Sequence, residues 1–219
     1  LASIEIINIF SKLNKSIFFT STSEIYGKNS NLPFKEEDDR VLGSSSIKRW
    51  CYSTSKALVE HYLEAAASSN NRFKFKAVRL FNIYGSHLKG RVVPRFIEAA
   101  LKNKPIEVNG TGKQTRCFTY IKDAVNAFNK IINSKKCNNN FFNVGDNKEI
   151  SIEKFANVVI KLTKSKSKIR KISYEKKFQN DYEDMQRRVP NIKKIYKFTK
   201  WKPTTSLEKG ILLTISNHF

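Results

Sequence analysis

The run "SIFFTST" (16–22) is apolar almost throughout, with a stretch of helical period before it and polar sequence after it. A strand needs such a run only when both of its faces are covered, as in a parallel sheet flanked by helices. That requirement sets the frame for the whole chain. Upstream, Ile4, Ile7 and Phe10 recur at helical spacing and predict a helix over Ala2 to Leu13. Downstream, the Gly- and Pro-containing segment Gly27 to Ser46 is loop, and Trp50 to Ser68 is helix. The order then runs "FKFKAVRLF" as strand, Arg91 to Lys102 as helix, "PIEVNG" as short strand and turn, "RCFTYI" as strand and Asp123 to Ile132 as helix. "NNFFNVG" is a further strand, Ser151 to Leu162 a helix with Ser151 as its N-cap, and "IRKISY" a late strand. Two short helices flank the turn Trp201 to Pro203. Alternation of this kind predicts an α/β protein with a parallel sheet. Ligands of such sheets bind beyond the carboxyl ends of the strands. "TSE" after the first strand and "FNIYG" after the second are therefore expected to face one crevice.

Composition narrows the class. The 219 residues are 40% hydrophobic, enough for one large domain or a main domain with a small lobe. No apolar run approaches the ~20 residues of a membrane span. Cys51, Cys117 and Cys137 are odd in number and contain no CxxC pair, and His61, His87 and His218 show no ligand spacing. These counts argue against a disulfide framework or a zinc cluster; a reducing, cytoplasmic compartment and no metal are expected. The formal charge of +22 raises nucleic-acid binding. Only Lys161 to Lys177 is dense in basic residues, however, and it carries no helix-turn-helix or RNA-recognition pattern. The charge is taken as a solvated surface with a basic cleft suited to a nucleotide diphosphate; no nucleic-acid or membrane partner is expected. The N-terminus has neither an initiator methionine nor a signal-peptide pattern, so the chain is expected to begin partway through a longer protein.

Tyr52 and Lys56 in "RWCYSTSKALVEH" stand at i and i+4, so on a helix both leave one face. A phenol with an ordinary pKa of about 10 is a poor base near neutral pH, and a neighbouring ammonium favours its phenolate. The spacing alone also fits the polar face of an unremarkable helix. Thr22, Ser23 and Glu24 follow directly after a buried strand, where polar side chains have no core role. Two hydroxyls and a carboxylate there can bond a substrate hydroxyl, move a proton or position water.

The ordered series "FFTSTSEIYG", "WCYSTSKALVEH", "VRLFNIYG", "GRVVPRFI", "VNGTGKQTRCFTYIKD", "FFNVGDNKEISI" and "YEDMQRRVP" resembles the extended short-chain dehydrogenase/reductase family of NAD-dependent nucleotide-sugar epimerases, dehydratases and decarboxylases. The resemblance implies that Tyr52 is the catalytic tyrosine, and that Lys56 lowers its pKa and holds the nicotinamide ribose. It implies that Thr22 assists at sugar carbon 4 and adjoins the cofactor. Ser23 and Glu24 match the "TSE" form of UDP-glucuronic acid decarboxylases, in which the glutamate takes part in the chemistry. By the same resemblance Asn82 and Arg116 contact the substrate diphosphate, and a guanidinium suits a diphosphate bidentately. It also implies that Arg49, Tyr182 and Arg188 bind substrate, with Arg188 serving in addition as a proton donor. Arg91 is implied to contact cofactor or substrate.

The resemblance further implies NAD as the cofactor, a nucleotide-diphosphate sugar as the partner and a homodimer as the assembly. Decarboxylation of a UDP-uronic acid is the first expectation. A 4-epimerase, a 4,6-dehydratase and an inactive fragment are the alternatives. Residues 1–85 are expected to form a partial Rossmann-like, NAD-binding unit that lacks its first βα units. Residues 86–219 are expected to be mainly a small α+β substrate lobe, with Rossmann elements returning over about 115–145. The family opens on a strand and a G-x-x-G-x-x-G turn at a helix N-terminus, which holds the NAD pyrophosphate. No such motif occurs in these 219 residues, so they are expected to bind NAD poorly and to expose a sheet edge.

Overall fold

The computed structural model describes residues 2–173 and 185–218. Helix α1 (Ala2–Lys12) precedes strand β1 (Ser16–Thr22), which runs into a single 3-10 turn at Ser23–Tyr26. Thr22 caps that turn, its hydroxyl accepting from the Glu24 amide at 3.2 Å. Gly27 ends it with φ of 57°, and a Cβ there would lie 2.1 Å from the Val41 carbonyl oxygen. The turn therefore needs glycine both for its backbone conformation and for room. Helix α2 (Arg49–Ser69) turns Trp50, Ser53, Ala57, Glu60 and Leu63 inward, a stripe at three- and four-residue spacing. The chain continues through β2 (Lys74–Leu80), β3 (Ile83–Tyr84), α3 (Val92–Leu101), β4 (Ile106–Asn109), β5 (Thr115–Cys117), β6 (Thr119–Tyr120) and α4 (Ile121–Ile132). It then passes through β7 (Asn140–Val144), β8 (Glu149–Ser151), α5 (Ile152–Thr163), β9 (Ile169–Ile172), α6 (Lys193–Thr199) and α7 (Leu207–His218).

The main sheet has the order β1-β2-β7, with both pairings parallel. On one face Phe75, Ala77 and Phe141 meet Ile7 of α1 and Leu63 of α2. On the other, Val78, Phe142 and Val144 meet Ala124, Ala127 and Ile131 of α4 together with Ile195 and Trp201. Cover on both faces is why the first strand reads as a nearly unbroken apolar run. A second core gathers Phe96, Ile97, Val108, Phe118, Phe155, Val159 and Ile211, bringing α3, α5 and α7 against the pair β4·β9. The Ser151 hydroxyl accepts from the Lys154 amide at 3.2 Å, the cap expected of it.

Three details differ from expectation. "RCFTYI" is two strands: β5 pairs antiparallel with β8, and β6 pairs parallel with β3. Between them Phe118 turns into the second core, its ring centroid 4.5 Å from that of Phe155. Asn82 holds the crossing, since its side-chain amide donates to the Cys117 carbonyl and its own carbonyl accepts from the Thr119 amide. Strands β3 and β8 were not anticipated, being too short to show a period. Helix α4 starts two residues early, because the Asp123 carboxylate does not mark its start. It accepts instead from the Thr204 and Thr205 amides and the Thr204 hydroxyl, tying down the turn before α7.

Among the described residues no strand pairs with the outer edge of β1. On the neighbouring helix Ile6 and Ile9 are 50% and 53% exposed, and Leu13 just past its end is 60% exposed. Among the described residues no helix is long and apolar enough to cross a membrane, and no three His, Cys, Asp or Glu side chains gather as a metal site.

Candidate active site

Beyond the carboxyl end of β1 the chain places Thr22, Ser23 and Glu24 in succession. The Glu24 carboxylate is held from two directions, by Arg49 Nη2 at 2.8 Å and by Arg188 Nη1 at 2.8 Å. Arg188 Nη1 also reaches the Ser23 hydroxyl at 3.4 Å. Arg49 opens α2, whereas Arg188 arrives from the far end of the sequence, so only the tertiary fold brings them together. From α2 the buried Ser53 hydroxyl donates to the Glu24 backbone carbonyl at 2.8 Å. Both guanidiniums are more than nine-tenths buried as side chains. Both guanidiniums hold the one carboxylate through charge-assisted bonds.

Tyr52 and Lys56 lie one turn apart on α2. The Lys56 ammonium donates to the Thr20 carbonyl at 2.9 Å and lies 4.8 Å from the Phe19 ring centroid. Burial lowers its pKa below the ordinary lysine value. Tyr52 is 51% exposed, so its phenol stands at the protein surface rather than in the core. Cys51 beside it is exposed as well. In the first turn of α2 the inward place belongs to Trp50.

A cavity of about 160 Å³ opens nearby, and Asn82 and Arg116 both line it, with Phe96, Phe118, Gln114 and Ile152. Arg116 Nη1 donates to the Thr115 carbonyl at 2.7 Å and to the Gln186 carbonyl at 3.5 Å. Gln186 is two residues from Arg188, so one segment joins the cavity to the Glu24 cluster. Arg91 lies exposed just before α3; its neighbour Val92 lines the cavity. Tyr182 lies outside the described residues. Sequence reading passed over Arg95, Glu107 and Gln114, which also line the cavity. The buried Gln114, donating to the Asn109 carbonyl at 2.9 Å, was the one with a signal: an amide beside Arg116 in a run otherwise taken as turn and strand.

Residues 1–145 match the model of the NAD dependent epimerase/dehydratase family. The chain belongs to that family. The UDP-N-acetyl-alpha-D-glucosaminuronate decarboxylase of Bacillus cytotoxicus is 39% identical over 208 residues, covering 93% of this chain and 64% of that protein. The bifunctional polymyxin resistance protein ArnA of Wigglesworthia glossinidia brevipalpis is 31% identical, covering 99% of this chain and 37% of that one. The chain thus spans less than two thirds of the length of these curated relatives. Among solved structures, a UDP-glucuronic acid 4-epimerase from Bacillus cereus in complex with UDP-glucuronic acid and NAD superposes with a TM-score of 0.86 at 20% identity. The match covers 98% of this chain and 65% of that one. A likeness at that identity establishes the Rossmann-like fold of the epimerase/dehydratase family for this chain.

Proposed function

We propose that the chain carries the substrate side and the proton-transfer groups of an NAD-dependent enzyme that decarboxylates a UDP-uronic acid. One observation carries this reading: Glu24 clamped between Arg49 and Arg188 beyond the end of β1. The name of the Bacillus cytotoxicus relative supports it. Two guanidiniums at such a site suit a substrate that brings its own carboxylate and a diphosphate, since the planar fork bonds either anion bidentately.

The nicotinamide end of NAD fits Tyr52 and Lys56, a phenol and an ammonium one turn apart, the latter already fixed on the Thr20 carbonyl. For the pyrophosphate end these 219 residues offer no G-x-x-G-x-x-G turn. NAD when bound supplies a hydride acceptor for sugar carbon 4 and later returns the hydride. Tyr52, bonded to the same hydroxyl as Thr22, takes the proton from the carbon 4 oxygen. The resulting 4-keto sugar carries its carboxylate on the carbon adjacent to the carbonyl. Its C–C bond can then break with the electron pair delocalised into that carbonyl, releasing CO2. The Glu24–Arg188 pair holds the proton that carbon 5 takes up. Asn82 and Arg116 hold the diphosphate, while Arg49 and Tyr182 contact the sugar and Arg91 the cofactor or substrate. In this assignment residues 1–85 form the partial cofactor unit and 86–219 mainly the substrate lobe, with the Rossmann-like fold returning over about 115–145. A cytoplasmic location follows from the nucleotide-sugar substrate.

The test is direct. The chain joined behind glycine-fingerprint βα units should release CO2 from UDP-glucuronate or its N-acetyl relative and leave UDP-glucose without loss of carbon. Epimerised product with no CO2 would replace decarboxylation by 4-epimerisation. We also propose that two copies pair through α1 and α2, where Ile6, Ile9, Leu58 and Tyr62 are exposed. Light scattering that reports only the 25.3 kDa chain mass removes that pairing.

A further inference from the structure

A second polar cluster lies behind the Glu24 site, on the α2 face of the sheet, wholly inside the protein. Arg79 of β2 donates to Glu60 of α2 through two nitrogens, Nε at 3.2 Å and Nη2 at 2.6 Å. The Ser21 hydroxyl donates to the same carboxylate at 2.5 Å. The remaining arm of Arg79, Nη1, donates to the Tyr26 hydroxyl at 2.9 Å and to the Glu36 carbonyl at 2.7 Å. Tyr26 passes the chain on, donating to Asn143 Oδ1 at 2.8 Å, and Asn143 Nδ2 donates to the Phe34 carbonyl at 2.8 Å. Phe34 in turn is laced to the segment that carries Arg188, its amide donating to the Val189 carbonyl at 2.8 Å and its carbonyl accepting from the Asn191 amide at 2.7 Å. Ser21, Tyr26, Glu60, Arg79 and Asn143 are all buried.

Stability alone is a weak reason for such a cluster. Desolvating two charges often cancels their attraction, and well-packed apolar side chains of similar size commonly serve as well or better. Position along the chain offers the better reason. Ser21 adjoins Thr22; Tyr26 is two residues from Glu24; Glu60 is one helical turn from Lys56 and two from Tyr52. Arg79 is three residues before Asn82, and Val189 adjoins Arg188. We propose that the Glu60–Arg79–Tyr26–Asn143 network is a positioning device that sets the relative placement of three parts of the site drawn from distant stretches of the sequence. Those parts are the turn bearing Glu24, the helix bearing Tyr52 and Lys56, and the segment bearing Arg188. The network touches no substrate; its members act through the residues they hold. Reactive groups misplaced by about 1 Å lose on the order of 10²-fold in rate, so a rigid tie between these three parts has a direct consequence for turnover.

The proposal rests on the function given above only for its kinetic arm, and two variants test it. Tyr26→Phe keeps the ring stacked on Phe34, centroids 4.6 Å apart, and removes only the hydroxyl joining Arg79 to Asn143. Glu60→Met/Arg79→Met replaces the ion pair by apolar side chains, which are expected to leave the melting temperature near that of the parent. By amide exchange of the 219-residue chain, each variant should speed exchange at Gly27, Phe34 and Asn191 by roughly tenfold or more, while Val159 in α5 stays within about twofold. In the protein extended by glycine-fingerprint units, kcat should fall about tenfold with KM nearly unchanged. A uniform rise in exchange across both cores, or none at the three amides, overturns the proposal and leaves an ordinary structural cluster. If exchange responds as expected while the parent turns over no nucleotide sugar, the proposed function fails and the positioning network stands.

Discussion

A Tyr52→Phe protein should fold, bind the nucleotide sugar as the parent does, and lose roughly 10²- to 10⁴-fold in turnover, the usual range for removing a general base. The expectation follows from where the phenol sits. Tyr52 is half exposed on α2, so removing its oxygen creates neither a cavity nor an orphaned buried donor. The diphosphate is assigned to Asn82 and Arg116 at a separate cavity, so affinity should be nearly untouched. Lys56→Met should behave differently. Its ammonium is fixed on the Thr20 carbonyl, and it is assigned the ribose as well as the phenolate, so cofactor affinity and turnover should fall together. The measurement is kcat beside calorimetric affinity for the nucleotide sugar. A Tyr52→Phe protein that retains more than about a tenth of parental kcat would move the base role to Thr22 or Glu24.

Alkaline unfolding should be steep. Burial pushes the Tyr26 phenol from 10.0 up to about 12 and the Cys117 thiol from 9.0 up to about 12, and it raises Tyr84 in the same direction. In each case the folded value exceeds the unfolded one, so the contribution is complete below the unfolded pKa and disappears as pH rises through the folded value. Cys117 should begin to act above about pH 9 and Tyr26 above about pH 10. At about 1.4 kcal/mol per pH unit and proton, the two amount to about 4 and about 3 kcal/mol by pH 12, a large part of the 5–15 kcal/mol typical of a domain. Neutralisation of lysines over the same range relieves repulsion in a chain of charge +22 and works the other way. The Tyr26→Phe variant separates these effects: above pH 10 its stability should fall more gently than the parent's by one proton's slope. Parallel denaturation curves for parent and variant from pH 8 to 11.5 would show that the phenol is not held as described.

Local pattern made much of this arrangement legible. β1 and the long helix α2 follow from apolar period and polar punctuation within a few residues. The grouping of Glu24 with Arg49 and Arg188 did not follow from spacing; the family resemblance supplied it, because 164 positions separate Glu24 from Arg188. The split of "RCFTYI" around Phe118 was illegible for a related reason. Phe118 satisfies strand patterning equally well, and only the bonds from Asn82 decide that the chain changes partners there. Arg79 stands in the sequence as a charged residue inside an apolar strand, a visible anomaly. Its partner Glu60 looks like any exposed helix glutamate until the helix is docked on the sheet. Arg91, assigned to a ligand by resemblance, is exposed ahead of α3, apart from the contacts that hold Glu24.

Asn82 has a φ of 40°, in the left-handed region where glycine, asparagine and aspartate are the residues at ease. Any collection of variants at this position is therefore filtered twice, first by the backbone and only then by what the amide touches. Persistence of asparagine there in other chains would be no sign of ligand contact, since geometry alone narrows the choice to a few residue types. Asn82→Gly separates the two demands, keeping the conformation and deleting the amide, and with it the bond to the Cys117 carbonyl.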